Sequence, residues 1–100
     1  MDFTTLAQLR DKLTVKHHIP GRLRLKFAAS LLADPRALAV AANPPPLPEG
    51  VRSVDINLIA RTMLLEYDPA RIDPDRLQAL VEAASDDRAA EIARELLSGA

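Results

Sequence analysis

The chain changes its hydrophobic period several times within 100 residues, and each change marks an element. Phe3, Leu6, Leu9 and Leu13 recur at helical spacing, which predicts a short amphipathic helix over 1–12 that must dock to be stable. From Leu13 the period falls to two. Leu13, Val15, His17, Ile19, Leu23, Leu25 and Phe27 hold odd positions, whereas Thr14, Lys16, His18, Arg22, Arg24 and Lys26 hold even ones. That alternation is the signature of a half-buried strand. Pro20-Gly21 interrupts it. Two-residue hairpins prefer positive φ at their first central residue, which an L-proline cannot adopt, so one long strand bent or bulged at 20–21 is favoured over a hairpin.

Further along, Asp34-Pro35 supplies an N-cap and a first-turn proline for a helix reaching about Ala42. Asn43 and the run PPPLP stop it, and a stiff connector explains that run better than a proline-rich ligand motif does. Val54, Ile56 and Leu58 alternate with Ser53, Asp55 and Asn57. After a turn near 58–61, Met63, Leu65 and Tyr67 alternate with Thr62, Leu64 and Glu66, predicting an antiparallel pair. Asp73-Pro74 caps another helix with Leu77, Leu80, Val81 and Ala84 on its buried stripe. Ser85, Asp86 and Asp87 open a last one, with Ile92, Ala93, Leu96 and Leu97 on its apolar side. The predicted order is α, β, α, β, β, α, α.

This length suits one domain with one modest core, read as an N-terminal helix over 1–12 and a single domain over 13–100. The absence of cysteine excludes disulfides and thiolate metal sites. Phe3, Phe27 and Tyr67 are the only aromatics, which disfavours nucleic-acid stacking platforms. No apolar run is long enough to span a membrane and no signal peptide is visible, so a cytoplasmic location is expected. Charge is polarised: residues 1–50 carry seven Lys and Arg against four Asp and Glu, or +3, and residues 51–100 carry six against ten, or −4.

The stretch from IPGRLRLKF through LPEGVRSVDINLIARTMLLEYDP and the following helix resembles the heavy-metal-associated domain family. The similarity is to the branch without a Cys-x-x-Cys loop, often found beside metal-transporting P-type ATPases. Three short motifs carry it in order: PGR-x-R, GV-x-SV and YDP. The resemblance implies an α+β, ferredoxin-like βαββαβ sandwich, here with an added N-terminal helix and a C-terminal helix. It also implies a role in metal homeostasis and a protein partner such as a membrane metal transporter. The chain departs from the pattern twice. It has no thiolate loop, and residues 85–98 read as helix where the last strand belongs. Without that strand, one edge of the first strand lies open, which predicts a homodimer or strand addition there.

Candidate chemistry is sparse. The only sulfurs are Met1 and Met63, so soft-metal chaperoning is not expected. His17 and His18 are the candidate metal or haem ligands, but adjacent residues of a strand point to opposite faces and cannot chelate one ion together. By parity His17 belongs with the core and His18 with the basic face. Lys16, His18, Arg22, Arg24 and Lys26 form a basic stripe that either binds an anionic partner or pairs across strands with Asp55 and Glu66, the second being the better expectation. No nucleophile elbow, cysteine nucleophile or glycine-rich phosphate loop is present, so catalysis is not expected. The chain reads as a non-catalytic interaction or regulatory domain without a resident cofactor. It would dock through the basic sheet face, the open strand edge or the apolar side of the terminal helices. The alternatives are a His-based transition-metal or haem carrier and a binder of anionic surfaces through the Arg-rich strand; nucleic acid is disfavoured by net charge and by the lack of aromatics.

Overall fold

Residues 2–98 are described by a computed structural model; Met1, and with it one of the two candidate sulfurs, lies outside them, as do residues 99 and 100. Helix α1 (Phe3–Leu9) is followed by strands β1 (Leu13–Ile19) and β2 (Arg22–Phe27), helix α2 (Pro35–Ala42), strands β3 (Val51–Asn57) and β4 (Thr62–Tyr67), and helices α3 (Pro74–Val81) and α4 (Asp86–Leu97). Single 3-10 turns occupy Arg10–Lys12 and Ala29–Ala33. The predicted caps close the helices that need them. Asp34 accepts the Arg36 amide at 2.9 Å, Asp73 the Asp75 amide at 2.9 Å and Ser85 the Arg88 amide at 3.1 Å. The class is α+β.

The stretch expected to be one long strand is a hairpin. β1 and β2 pair antiparallel, with Ile19 opposite Arg22 and only Pro20 and Gly21 between them. Gly21 has φ +90. Proline first and a positive-φ glycine second is the type II pattern, which places the left-handed residue where glycine adopts it freely. The rule that argued against a hairpin concerned positive φ at the first position, which this turn does not use.

That hairpin also alters the expected topology. The four strands form one antiparallel sheet in the order β1-β2-β4-β3, and no strand follows α3 among the described residues. The edge of β2 predicted to lie open is covered along its length by β1. The position beside β2 that a βαββαβ sandwich gives to its last strand is held by an N-terminal one. The free edges of the sheet are now β1 and β3, and β1 carries a bulge and Lys16 on its outer side, two features that discourage strand addition.

One face of the sheet carries the helices. Leu23, Leu25 and Phe27 of β2 and Met63, Leu65 and Tyr67 of β4 point into a core shared with α1, α3 and α4. Alternation at period two meets helical stripes at period 3.6, and the two apolar sets close on each other. α1 belongs to this core through Phe3, Leu6 and Leu9. α4 gives it Ala89, Ile92, Ala93 and Leu96, so the apolar side of the terminal helices, expected as a docking surface, is consumed internally. Leu97 alone of that predicted set stays exposed.

α2 is the exception, with no buried residue at all. Two arginines hold the helix layer together. Arg10 reaches the carbonyls of Ala7 at 2.8 Å and Ala83 at 3.2 Å and the Asp86 carboxylate at 2.9 Å, joining α1 to the start of α4. Arg36 on α2 binds Asp34 at 2.7 Å, Asp11 at 3.2 Å and the Gln8 carbonyl, anchoring α2 to α1. Its guanidinium and backbone amide lower the Asp34 carboxyl to about 2.

Two outcomes follow for stability. Gly21→Ala forces an L side chain into positive φ and brings its Cβ to 3.3 Å from the Tyr67 carbonyl oxygen, so chemical denaturation is expected to show a loss of about 1–2 kcal/mol. Asp34 has a folded pKa below its ordinary 3.8, so its charge stabilises the fold fully above that value and the contribution is lost as pH falls through about 2. Asp34→Asn keeps a capping oxygen and removes the charge. The stability difference between wild type and this variant, measured by urea titration, is expected to be constant near neutral pH and to shrink below about pH 4.

Candidate functional site

The β1 register explains where the histidines go. Leu13, Thr14 and Val15 face Phe27, Lys26 and Leu25, and the pairing then shifts so that His17 faces Arg24 and His18 faces Leu23. Lys16 is the extra residue of a bulge. One extra residue inverts the alternation beyond it. His17 therefore lies outward and exposed, and His18 turns inward, the reverse of the parity expectation. The two rings do point to opposite faces.

His18 sits in a polar chain. Its Nε2 is 2.6 Å from the Tyr67 hydroxyl and its Nδ1 is 2.9 Å from Oε1 of Gln78, whose Nε2 donates to Glu82 at 3.2 Å. With the amide so oriented, His18 Nδ1 carries the proton, and in the neutral ring Nε2 accepts from Tyr67. Burial raises the Tyr67 phenol above its ordinary value; the Gly21 backbone amide opposes this and the carboxylates of Asp73 and Asp75 add to it. Both His18 nitrogens are thus engaged within the fold. Among the described residues no group of three or more His, Cys, Asp or Glu side chains is arranged to hold a metal ion. Nothing in the local pattern links His18 to Tyr67 and Gln78, which lie 49 and 60 positions further along the chain.

The three motifs that carry the family resemblance meet at this end of the sheet. The Tyr67 amide donates to the Gly21 carbonyl at 3.0 Å, and the Asp68 amide donates to the Gly50 carbonyl at 2.8 Å. Gly50 has φ +92, and a Cβ there would lie 3.2 Å from side-chain atoms of Arg71 and Ile72. PGR, GV and YDP are therefore two turns and the strand end that locks onto both.

Among the described residues no element covers the other face of the sheet. Successive rows across it read Ile19, Arg22, Glu66, Ser53; then His17, Arg24, Leu64, Asp55; then Thr14, Lys26, Thr62, Asn57. The basic stripe keeps Arg22, Arg24 and Lys26, with Lys16 exposed at the bulge, and exchanges His18 for His17. Arg22 stands opposite Glu66 in the register, but among the described residues neither Asp55 nor Glu66 lies within 4.0 Å of any of these cations. The expected cross-strand pairing does not form. The ion pairs lie in the helix layer and its connections instead, as in Arg71 with Glu49 and Arg88 with Glu91.

No family model, no curated protein and no solved structure matches the chain. In sequence, the likeness to heavy-metal-associated domains rests on three short motifs, PGR-x-R, GV-x-SV and YDP. No helix of the described residues is long and apolar enough to cross a membrane.

Two depressions compete with the sheet face. The larger, about 600 Å³ between α1 and α4, is lined by Ala7, Ala89, Ala90 and Ala93 and by three arginines, of which Arg10 and Arg36 already hold carboxylates and Arg94 holds none among the described residues. The second is an apolar groove between α2 and the β3–β4 hairpin. For the polar chain, Tyr67→Phe removes the hydroxyl that satisfies His18 and is expected to cost about 1–2 kcal/mol in chemical denaturation, with a shift of the His18 ring nitrogens in 15N NMR.

Proposed function

We propose that the chain is a non-catalytic docking domain of the heavy-metal-associated type without a thiolate site, and that it binds an acidic protein surface through the open face of its sheet. The family assignment is supported by the inner part of the topology. β2, α2, β3, β4 and α3 run in the order of a split βαβ sandwich with β4 between β2 and β3, and the N-terminal β1 stands where the family has its last strand. The convergence of PGR, GV and YDP on one pair of turns supports it further.

The docking surface follows by elimination. Of the three surfaces expected from sequence, the strand edge is occupied by β1 and the terminal helices are occupied by the core. The observation that carries the proposal is that Arg22, Arg24 and Lys26 stand in line on an inner strand, exposed, with no carboxylate within 4.0 Å among the described residues. Three uncompensated cations on a rigid strand lower the reorganisation needed to bind an anion. Exposed Ile19 and half-buried Leu64 lie among them, so a protein partner with acidic and apolar side chains fits better than a bare phosphate backbone. The resemblance makes a membrane metal transporter the first partner to try.

A fluorescent peptide rich in Asp, Glu and Leu is the probe. Its anisotropy titration is expected to show binding that weakens steeply with salt, and Arg22→Ala with Arg24→Ala is expected to weaken it about tenfold without changing circular dichroism. No binding, or binding indifferent to the double substitution, overturns the proposal. Preference for anionic vesicles over a peptide of equal charge transfers it to the anionic-surface alternative.

A further inference from the structure

The tip of the β3–β4 hairpin is apolar where turn chemistry favours polar residues or glycine. It reads Leu58-Ile59-Ala60-Arg61, and Ile59 is 98 % exposed, the largest value among the exposed large hydrophobic residues. The tip is also preformed. Asn57 accepts the Ala60 amide on its side-chain oxygen at 3.0 Å, Arg61 takes the left-handed conformation at φ 54, and the Arg61 carbonyl accepts the Phe27 amide at 2.9 Å. An isoleucine held by three such constraints is a rigid knob in water.

Beside it lies the apolar groove. α2 crosses from β2 to β3 without burying any residue, and it leaves a channel of about 200 Å³ between Leu38 and Ala41 on the helix and Ile56 and Leu58 on the hairpin, with Phe27 and Met63 at its floor. None of the described residues lining this channel is charged or polar. A partner segment carrying charge would be desolvated there without compensation, which excludes the acidic surface proposed for the sheet face. The occupant must be an uncharged apolar knob, and among the described residues the chain presents one next to the wall residue Leu58, the fully exposed Ile59.

Area agrees with this. Leu32, Leu38, Ile56 and Leu58 line the groove and Ile59 follows Leu58 at the tip, each between 48 % and 98 % exposed, and a patch of a few hundred Å² of apolar surface is the size at which it marks an interaction site. A standard interface buries roughly 800 Å² per partner, of which somewhat over half is apolar, so this patch is about the size of the apolar core of one such interface.

We infer that the chain forms a two-fold homodimer in which the Ile59 tip of each copy enters the groove between α2 and the β3–β4 hairpin of the other. Knob and hole lie side by side at one end of the molecule, so a single two-fold axis satisfies both at once and the assembly closes at two. The dimer leaves the basic sheet face free.

Sedimentation equilibrium of the full chain over a wide concentration range tests it. The expected result is a reversible monomer–dimer equilibrium, with Ile59→Asp weakening association by more than tenfold. Leu38→Glu on the opposite wall is expected to do the same. Both side chains are exposed, so the circular dichroism of the dilute monomer is expected to match wild type, and Arg24→Glu is expected to leave the mass unchanged. In a mixed sample of differently labelled copies, NMR contacts between Ile59 and Leu38 methyls are expected across the interface. A monomer at every concentration, a dimer insensitive to Ile59→Asp, or a mass that keeps rising past two each overturns it.

Discussion

Gly21 is the residue on which the rest of the structure depends, because its left-handed φ of +90 turns the chain back after Ile19 and its carbonyl then accepts the Tyr67 amide at 3.0 Å. The first contact makes two strands from what would otherwise be one. The second fixes those strands against β4 and, through the neighbouring Asp68 amide on Gly50, against the start of β3. No side chain is tolerated easily at that point, since a Cβ would meet the Tyr67 carbonyl and the Pro69 ring. The sheet therefore has four strands and a closed inner edge.

A second local event, the bulge at Lys16, sorts the polar residues of β1 between the two faces. Inward of it, half-buried His18 turns toward the helix layer and finds hydrogen-bond partners on β4 and α3, so that a strand, a sheet neighbour and a helix are joined by one imidazole. Outward of it, His17 joins Arg22, Arg24 and Lys26 on a face no helix covers. The same insertion thus builds a satisfied internal network and enlarges an exposed basic surface. The histidines are neighbours in the chain and have nothing to do with one another in space.

The charge polarity of the sequence has a spatial counterpart. Carboxylates of the second half cap and decorate α3 and α4, and one of them, Asp86, is taken up by Arg10 from the first half, as Glu49 of the first half is by Arg71 of the second. Among the described residues the cations of β2 receive none of them. A helix layer that is largely self-neutralised and a sheet face that is not give the molecule two sides of different character, with the apolar groove at one end as a third.

The sequence by itself determined the elements. Period two and period 3.6 are local properties of the backbone, and caps such as Asp34-Pro35, Asp73-Pro74 and Ser85 act within one turn, so the helix starts, the core residues of β2 and β4 and the α+β class were all readable. Only the tertiary structure decided where they went. Whether Pro20-Gly21 bends a strand or reverses it depends on Tyr67 and Pro69 waiting 46 and 48 positions later, and whether His18 faces in or out depends on a one-residue bulge that leaves no periodic trace. The fate of Arg22, Arg24 and Lys26 was equally hidden, because a register can place Glu66 opposite Arg22 without bringing their charges within 4.0 Å. Backbone periodicity is written into consecutive residues, whereas pairing across strands is written only into their final separation.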